Sequence, residues 1–211
     1  MKIQVITLPD DLSGINMNAM SYVTEPAIEL ESILLSKEIP AKYNLSKPID
    51  HNRILSYALV PNKIIPRVTA NGEVYYIMFP KDDVKKLAYH YMMTSQKFSI
   101  QHESKVSDCY VIENWIVEDK NNDKTNFYNY PAIDGGWVMM SQVNNDIIMN
   151  KFRTGELRGL SMELNIAKQL EKYGKISKSV DLSEKEIKVI KYLDKSGLKY
   201  DYETIQKIMK L

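Results

Sequence analysis

The sequence predicts an α+β protein, with about six to eight strands and a few helices before residue 170 and a helical hairpin after it. Several segments alternate apolar and polar residues with a period of two, which indicates half-buried strands. A stripe of apolar residues with helical spacing begins near Lys81. A capping-box sequence, Ser183 to Glu186, precedes a second helical stripe.

The first half of the chain contains mainly strand patterns. Pro9 ends the first of them, and a turn signal at Asn71-Gly72 precedes another. Residues 38–53 contain Pro40, Pro48 and many polar residues, so we expect a loop there. The predicted strands are residues 3–8, the region around Tyr22-Val23, and residues 33–35, 54–60 and 73–80.

A helix and further strands follow. The helix is predicted by the apolar stripe Val84, Leu87, Ala88 and Tyr91, which lie at i, i+3, i+4 and i+7. Strands are expected at 97–102, 109–119, 137–143 and 157–166, and a short helix at 145–152 with Gly155 as its C-cap. We therefore expect a domain at 1–170, a linker at 171–182 and a helical extension at 183–211.

Composition limits the classes of partner. The chain of 211 residues has 28 basic and 27 acidic residues and a net charge of +1, which predicts neither a nucleic-acid nor a membrane partner. No apolar run of membrane-spanning length exists, so we expect a soluble intracellular protein. The single cysteine, Cys109, excludes internal disulfides and cysteine-rich zinc sites, and we expect it to be a small core residue.

Ser161 is the first candidate for chemistry. It lies in "LRGLSMELNI" (157–166), where apolar residues alternate with small or polar ones. The hydroxyl either solvates the outer face of a sheet or acts as a nucleophile on a rigid strand. The surrounding "GLSME" lacks the second glycine of a G-x-S-x-G elbow, which excludes the familiar α/β-hydrolase arrangement. Gly159, on the same face, is expected to leave room for a substrate backbone.

His102 and Glu113 are candidates to activate that serine. His102 ends the predicted strand "KFSIQH", so its ring is expected to begin at the core face and emerge at the strand end. A structural boundary histidine is the alternative. Glu113 shares a face with Val111 and Trp115, where an acid either decorates an exposed face or orients an imidazole. His90, off the helical stripe, is expected at the surface or its boundary.

Several blocks of the sequence, in order, resemble the prohead maturation proteases of tailed bacteriophages, which share a fold with the herpesvirus assembly proteases. The blocks are "SYVTEPAIE", "ALVPNKIIPR", "YYIMFPKDDVKKLAYHYM", "FSIQH", "VIENWIVED", "GGWVMMSQV" and "TGELRGLSMEL", spanning about residues 20 to 166. The resemblance implies a mixed, mostly antiparallel β-barrel flanked by helices, and a Ser-His-acid peptidase without a metal or organic cofactor.

The resemblance also implies roles for individual residues. Ser161 would be the nucleophile, His102 the general base and Glu113 the third member, with Asp108 and Glu118 as its rivals. Gly135, Gly136 and Gly159 are candidates for the oxyanion hole.

The implied substrates are phage scaffold and major capsid proteins inside the immature head, in the host cytoplasm. The protein's own tail would also be cut, in the linker from Gly174 to Asp181. The alternative is a catalytically inactive head-assembly or scaffold-like protein on the same fold. The sequence leaves the oligomeric state open, with a homo-oligomer among the alternatives, and it leaves cleavage-site preference open.

Overall fold

Three four-stranded sheets organise the part of the chain that the structure, a computed structural model, describes. The described residues are 2–13, 15, 17–28, 30–35, 52–68, 74–164, 175–181, 183–196 and 202–209. The strands are β1 Lys2–Thr7, β2 Met17–Val23, β3 Ile33–Leu34, β4 Arg53–Leu59, β5 Ile65–Val68, β6 Val74–Met78, β7 Phe98–Ile100, β8 Ser104–Val106, β9 Cys109–Ile116, β10 Trp137–Val143, β11 Gly159–Leu164 and β12 Lys175–Asp181. The helices are α1 Lys81–Thr94, α2 Asp146–Arg153, α3 Glu184–Ser196 and α4 Tyr202–Ile208, with a 3-10 helix η1 at Lys124–Tyr128.

The strand order confirms the α+β class with mixed, mostly antiparallel sheets. Sheet 1 has the order β12-β1-β6-β5, sheet 2 the order β3-β4-β10-β9, and sheet 3 the order β11-β2-β7-β8. The pairs β1–β6 and β2–β7 are parallel, and the other pairs in these sheets are antiparallel.

The described strands do not form a closed barrel, so the mixed, mostly antiparallel sheets are the part of the expected β-barrel that the structure shows. A barrel requires hydrogen bonds along both edges of every strand. Here β11 and β8 end sheet 3, and β3 and β9 end sheet 2. Strands β3, β7 and β8 have only two or three residues, which is too short to continue a ladder around a barrel. Sheets 2 and 3 instead meet by packing, since β11 contacts β4 without joining its ladder.

One large apolar core joins sheets 2 and 3 to α1 and α2. The predicted helical stripe is confirmed, because Val84, Leu87, Ala88 and Tyr91 are all fully buried. Tyr22 on β2 stacks on Phe98 of β7 at 5.0 Å and meets Phe152 of α2 edge-on at 5.2 Å. Its hydroxyl donates to Ser141 Oγ on β10 at 3.0 Å. This buried contact links β2 of sheet 3 to β10 of sheet 2.

The described part of the C-terminal segment pairs and packs with the rest of the fold. Within the expected linker at 171–182, residues 175–181 form β12 and pair with β1 from Lys2↔Asp181 to Thr7↔Lys175. Helices α3 and α4 add a second apolar cluster, consisting of Ile190, Leu193 and Ile205 packed with Ile64 and Met78. The polar sequence of 171–182 suggested a linker, but an edge strand also tolerates polar residues.

Both predicted helix-end signals in the described part are confirmed. Asn145 caps α2 by accepting from the Ile148 N–H, and Gly155, just past its end, has φ +75°. Ser183 and Glu186 form the reciprocal hydrogen bonds of a capping box. Residues 38–51 of the expected loop, the Asn71-Gly72 turn and Gly174 lie outside the described residues. None of the described helices is long and apolar enough to cross a membrane.

Candidate active site

Ser161 lies in the middle of β11, at one edge of sheet 3. Its neighbours Leu160 and Met162 are buried in the core, so alternation places the serine on the opposite face. Ser161 itself is 8% exposed, which keeps its hydroxyl at the boundary between the packed interior and solvent. The strand prediction for this segment is confirmed over Gly159–Leu164.

A row of three buried serines crosses sheet 3. Ser161 on β11 is directly opposite Ser21 on β2, and Ser21 is in register with Ser99 on β7. Directly opposed residues in an antiparallel pair have Cβ atoms about 4.5–5.5 Å apart. Ser21 and Ser99 are 0% and 3% exposed, so these two members of the row are shielded from solvent.

His102 belongs to the turn after β7 and not to the strand. Gln101 and His102 have φ +50° and +61°, and the Glu103 N–H donates to the Ile100 carbonyl at 2.9 Å. Two successive positive φ angles are typical of a type I′ turn, in which side-chain-bearing residues cost roughly 1–2 kcal/mol each. The expectation that the ring begins at the core face is therefore wrong, and the residue is exposed.

Hydrogen bonds to β2 hold this turn beside Ser161. The His102 N–H donates to Ser21 Oγ at 2.8 Å, and the Gln101 N–H donates to the Tyr22 carbonyl at 3.0 Å. The Gln101 amide also bonds the Thr24 hydroxyl at 3.2 Å. Because Ser21 is the cross-strand neighbour of Ser161, the backbone of His102 lies one side chain away from the candidate nucleophile. Ser21 is thus a neighbour of both Ser161 and the backbone of His102.

Glu113 is placed differently. It lies on β9 of sheet 2, and its half-exposed carboxylate forms an ion pair with Lys124. The Lys124 ammonium also lies 3.8 Å from the centroid of the Trp115 ring. Desolvation by this partly covered position lowers the pKa of Lys124. Lys124 is therefore held between the carboxylate of Glu113 and the indole of Trp115. The proposed role of Glu113 in orienting His102 stays a prediction.

The two rival acids have partners of their own. Asp108 has φ +60° and accepts a hydrogen bond from the Ser107 hydroxyl at 2.9 Å. Glu118 accepts from Lys85 at 2.8 Å, and this bond holds the pKa of the Glu118 carboxyl below its usual range. Neither contact supports a role in orienting His102.

The candidate oxyanion glycines receive no support from their surroundings. The Gly135 N–H donates to the Val117 carbonyl at 2.8 Å, and the Gly136 N–H donates to the Ile133 carbonyl at 2.9 Å. The Gly135 N–H is therefore used by the residue that follows β9, and the Gly136 N–H is used within the loop that enters β10. The open space expected beside Gly159 is occupied, because a Cβ there would lie 2.6 Å from Cβ of Pro26. Gly159 thus allows close packing of the chain segment that contains Pro26.

Two other reactive residue types have structural roles. His90 is 6% exposed, and its Nε2 lies 2.7 Å from the Ile15 carbonyl oxygen, so the expected surface or boundary position is wrong. The chain before β2 covers this side of α1, which a helical stripe alone does not reveal. Cys109 is buried as expected, and burial raises the pKa of its thiol to about 11, which disfavours a thiolate.

Ser21, which is opposite Ser161 and accepts the backbone N–H of His102, was not identified from the sequence. The only available signal was its place in "SYVTEPAIE", where a serine precedes a strongly β-favouring Tyr-Val pair. Within the described ranges, no group of three or more His, Cys, Asp or Glu side chains could hold a metal ion.

A comparison with protein families identifies a match. The family model described as "Putative phage serine protease XkdF" matches residues 65–171, just over half of the chain. The matched region contains His102, Glu113 and Ser161, and it ends before β12. No curated protein matches the chain significantly, and no solved structure does.

Proposed function

The chain belongs to this phage serine protease family, and we propose that it is a serine endopeptidase of phage head maturation. The main support for the proposal is that Ser161 and the backbone of His102 are both neighbours of Ser21. Ser21 is the cross-strand partner of Ser161, and its hydroxyl accepts the backbone N–H of His102 at 2.8 Å. A candidate nucleophile on a strand and a candidate base on a neighbouring anchored turn support the proposal, which further requires the His102 ring to come within hydrogen-bond reach of Ser161 Oγ.

In the proposed reaction, Ser161 Oγ attacks the carbonyl carbon of the scissile peptide bond while His102 takes the hydroxyl proton. The C–N bond then breaks, and the imidazolium gives its proton to the leaving amine. A water molecule, deprotonated by His102, then attacks the acyl carbon; the C–O bond to Ser161 breaks, the imidazolium returns its proton to Ser161 Oγ, and the carboxylic acid product leaves. Glu113 is retained as the proposed third member, although its observed partner is Lys124.

We propose scaffold and major capsid proteins as the substrates, cleaved inside the immature head in the host cytoplasm. Self-cleavage is part of the proposal, but a site within 175–181 would require β12 to leave β1 first. Proteases act on accessible extended chain, and a paired strand is protected until it opens.

The test uses the full chain coexpressed with the scaffold and major capsid proteins of its phage. We expect defined fragments with the wild type, none with Ser161→Ala or His102→Ala, and wild-type fragments with Ser183→Ala. Ser183 is a matched control because it is an exposed serine in the capping box of α3. Intact-mass spectrometry of the fragments is the readout, and identical uncleaved patterns from wild type and Ser161→Ala would refute the proposal.

The pairing of Glu113 with Lys124 favours a second candidate function. A protein that no longer orients its histidine through an acid would be an inactive head-assembly or scaffold-like protein on the same fold. It would copurify with capsid or scaffold proteins without cleaving them, and Ser161→Ala would leave this association unchanged.

A further inference from the structure

We propose that Ser21 is a positioning residue of the Ser161–His102 pair. Its hydroxyl fixes the turn that carries His102 to the strand next to the nucleophile. The inference rests on the proposed function for its consequence in catalysis, but its geometric part stands on observed contacts.

Ser21 is a fully buried polar residue. It is 0% exposed and lies in the middle of β2, with β11 on one side and β7 on the other. Buried hydroxyls are retained where they make hydrogen bonds, because an unpaired polar group is costly in the interior. The partner observed here is the backbone N–H of His102, at 2.8 Å.

The turn that carries His102 has an unusual backbone conformation. Gln101 and His102 both have positive φ angles, which glycine or asparagine adopts more readily than glutamine or histidine. Strained backbone persists only where surrounding contacts hold it, and such strain concentrates at functional sites. The Gln101 bonds to Tyr22 and Thr24 and the His102 bond to Ser21 are among the contacts that hold this turn to β2 and to the residue just after it.

The strand that contains Ser21 is held rigidly by the core. The opposite face of β2 is held by the ring of Tyr22, which is fully buried and packs against Phe98 and Phe152. The packed core therefore holds Ser21 in place, and the bond from Ser21 in turn holds the backbone of His102 in place relative to Ser161. A misplacement of about 1 Å between reacting groups can cost a hundredfold in rate. Loss of one anchoring bond out of several is expected to cost about tenfold.

The experiment compares Ser21→Ala with Ser141→Ala in the full chain. Both changes remove one buried hydroxyl that accepts one hydrogen bond, but only the Ser21 bond leads to His102. The activity probe is a fluorophosphonate, which forms a bond from phosphorus to Ser161 Oγ with release of fluoride. We expect the labelling rate to fall about tenfold in Ser21→Ala and to stay within about twofold of wild type in Ser141→Ala.

Two further measurements separate positioning from general destabilisation. Ser21→Thr keeps the acceptor oxygen, and we expect it to restore labelling to within about threefold of wild type. Amide hydrogen exchange of His102 reports the bond directly, and we expect its protection to drop in Ser21→Ala and to persist in Ser141→Ala.

Each outcome refutes a different part of the proposal. If wild type is not labelled at Ser161, the proposed function fails and the catalytic part of this inference fails with it. If wild type is labelled and Ser21→Ala is labelled at the same rate, the inference is overturned while the proposed function stands. Unchanged protection of the His102 amide in Ser21→Ala would overturn the geometric part independently of any activity.

Discussion

Replacing Gly159 with alanine tests how closely β11 is packed two residues before Ser161. A Cβ at this position would lie 2.6 Å and 2.7 Å from Cβ and Cγ of Pro26, and 3.2 Å from the Leu30 carbonyl oxygen. A proline ring cannot rotate away, so the strand or the segment carrying Pro26 must shift. Overpacking of this kind costs about 1–3 kcal/mol.

The expected magnitude follows from the size of the chain. For a protein of about 200 residues, each kcal/mol lowers the melting temperature by about 2–4 °C, so we expect Gly159→Ala to melt roughly 2–12 °C below wild type. Thermal unfolding followed by circular dichroism measures this. The rate of fluorophosphonate labelling at Ser161 should fall in the same variant, because β11 carries both residues.

A double-mutant cycle identifies the cause. Pro26→Gly removes both ring atoms in the contact, so Gly159→Ala should cost less in the Pro26→Gly background than alone. A melting temperature of Gly159→Ala equal to that of wild type would refute the close packing described here. Additive costs in the cycle would show that Pro26 is not the obstacle.

Three more predictions concern the core and the C-terminal segment. Tyr22→Phe deletes a buried hydroxyl that donates to Ser141, so we expect a loss of about 1 kcal/mol in urea unfolding, and an unchanged midpoint would contradict the bond. Cys109 should react slowly with iodoacetamide at pH 8 in the native state, because a thiol pKa of about 11 leaves about one thiolate in a thousand. Reaction as fast as in urea would contradict its burial. A chain ending at residue 174 should lose solubility or bind a hydrophobic dye, since it exposes one edge of β1 together with Ile64 and Met78. A soluble, cooperatively melting fragment would show instead that β12 and the helices are dispensable.

The sequence predicted those elements whose signals are local. The apolar stripe of α1, the capping box of α3 and the alternation in β11 each reflect burial or capping within a few residues, and the structure confirms them. The match of residues 65–171 supports the phage serine protease family that the ordered blocks resembled.

Features set by distant contacts could not be predicted in the same way. The polar segment that forms β12 becomes a strand only because β1 offers a partner more than 160 residues earlier. His102 continues an apparent strand pattern, but the chain turns at Gln101, where contacts with Tyr22 and Thr24 override local preference. The link from Ser21 to His102 spans 81 residues and has no local signature.

Covalent labelling with a fluorophosphonate, followed by intact-mass analysis and peptide mapping, directly tests whether Ser161 is an activated nucleophile. We expect a single adduct on Ser161, no adduct in Ser161→Ala, and strongly slowed labelling in His102→Ala. No adduct on the wild type, or labelling at Ser161 that is equally fast without the histidine, would contradict this expectation.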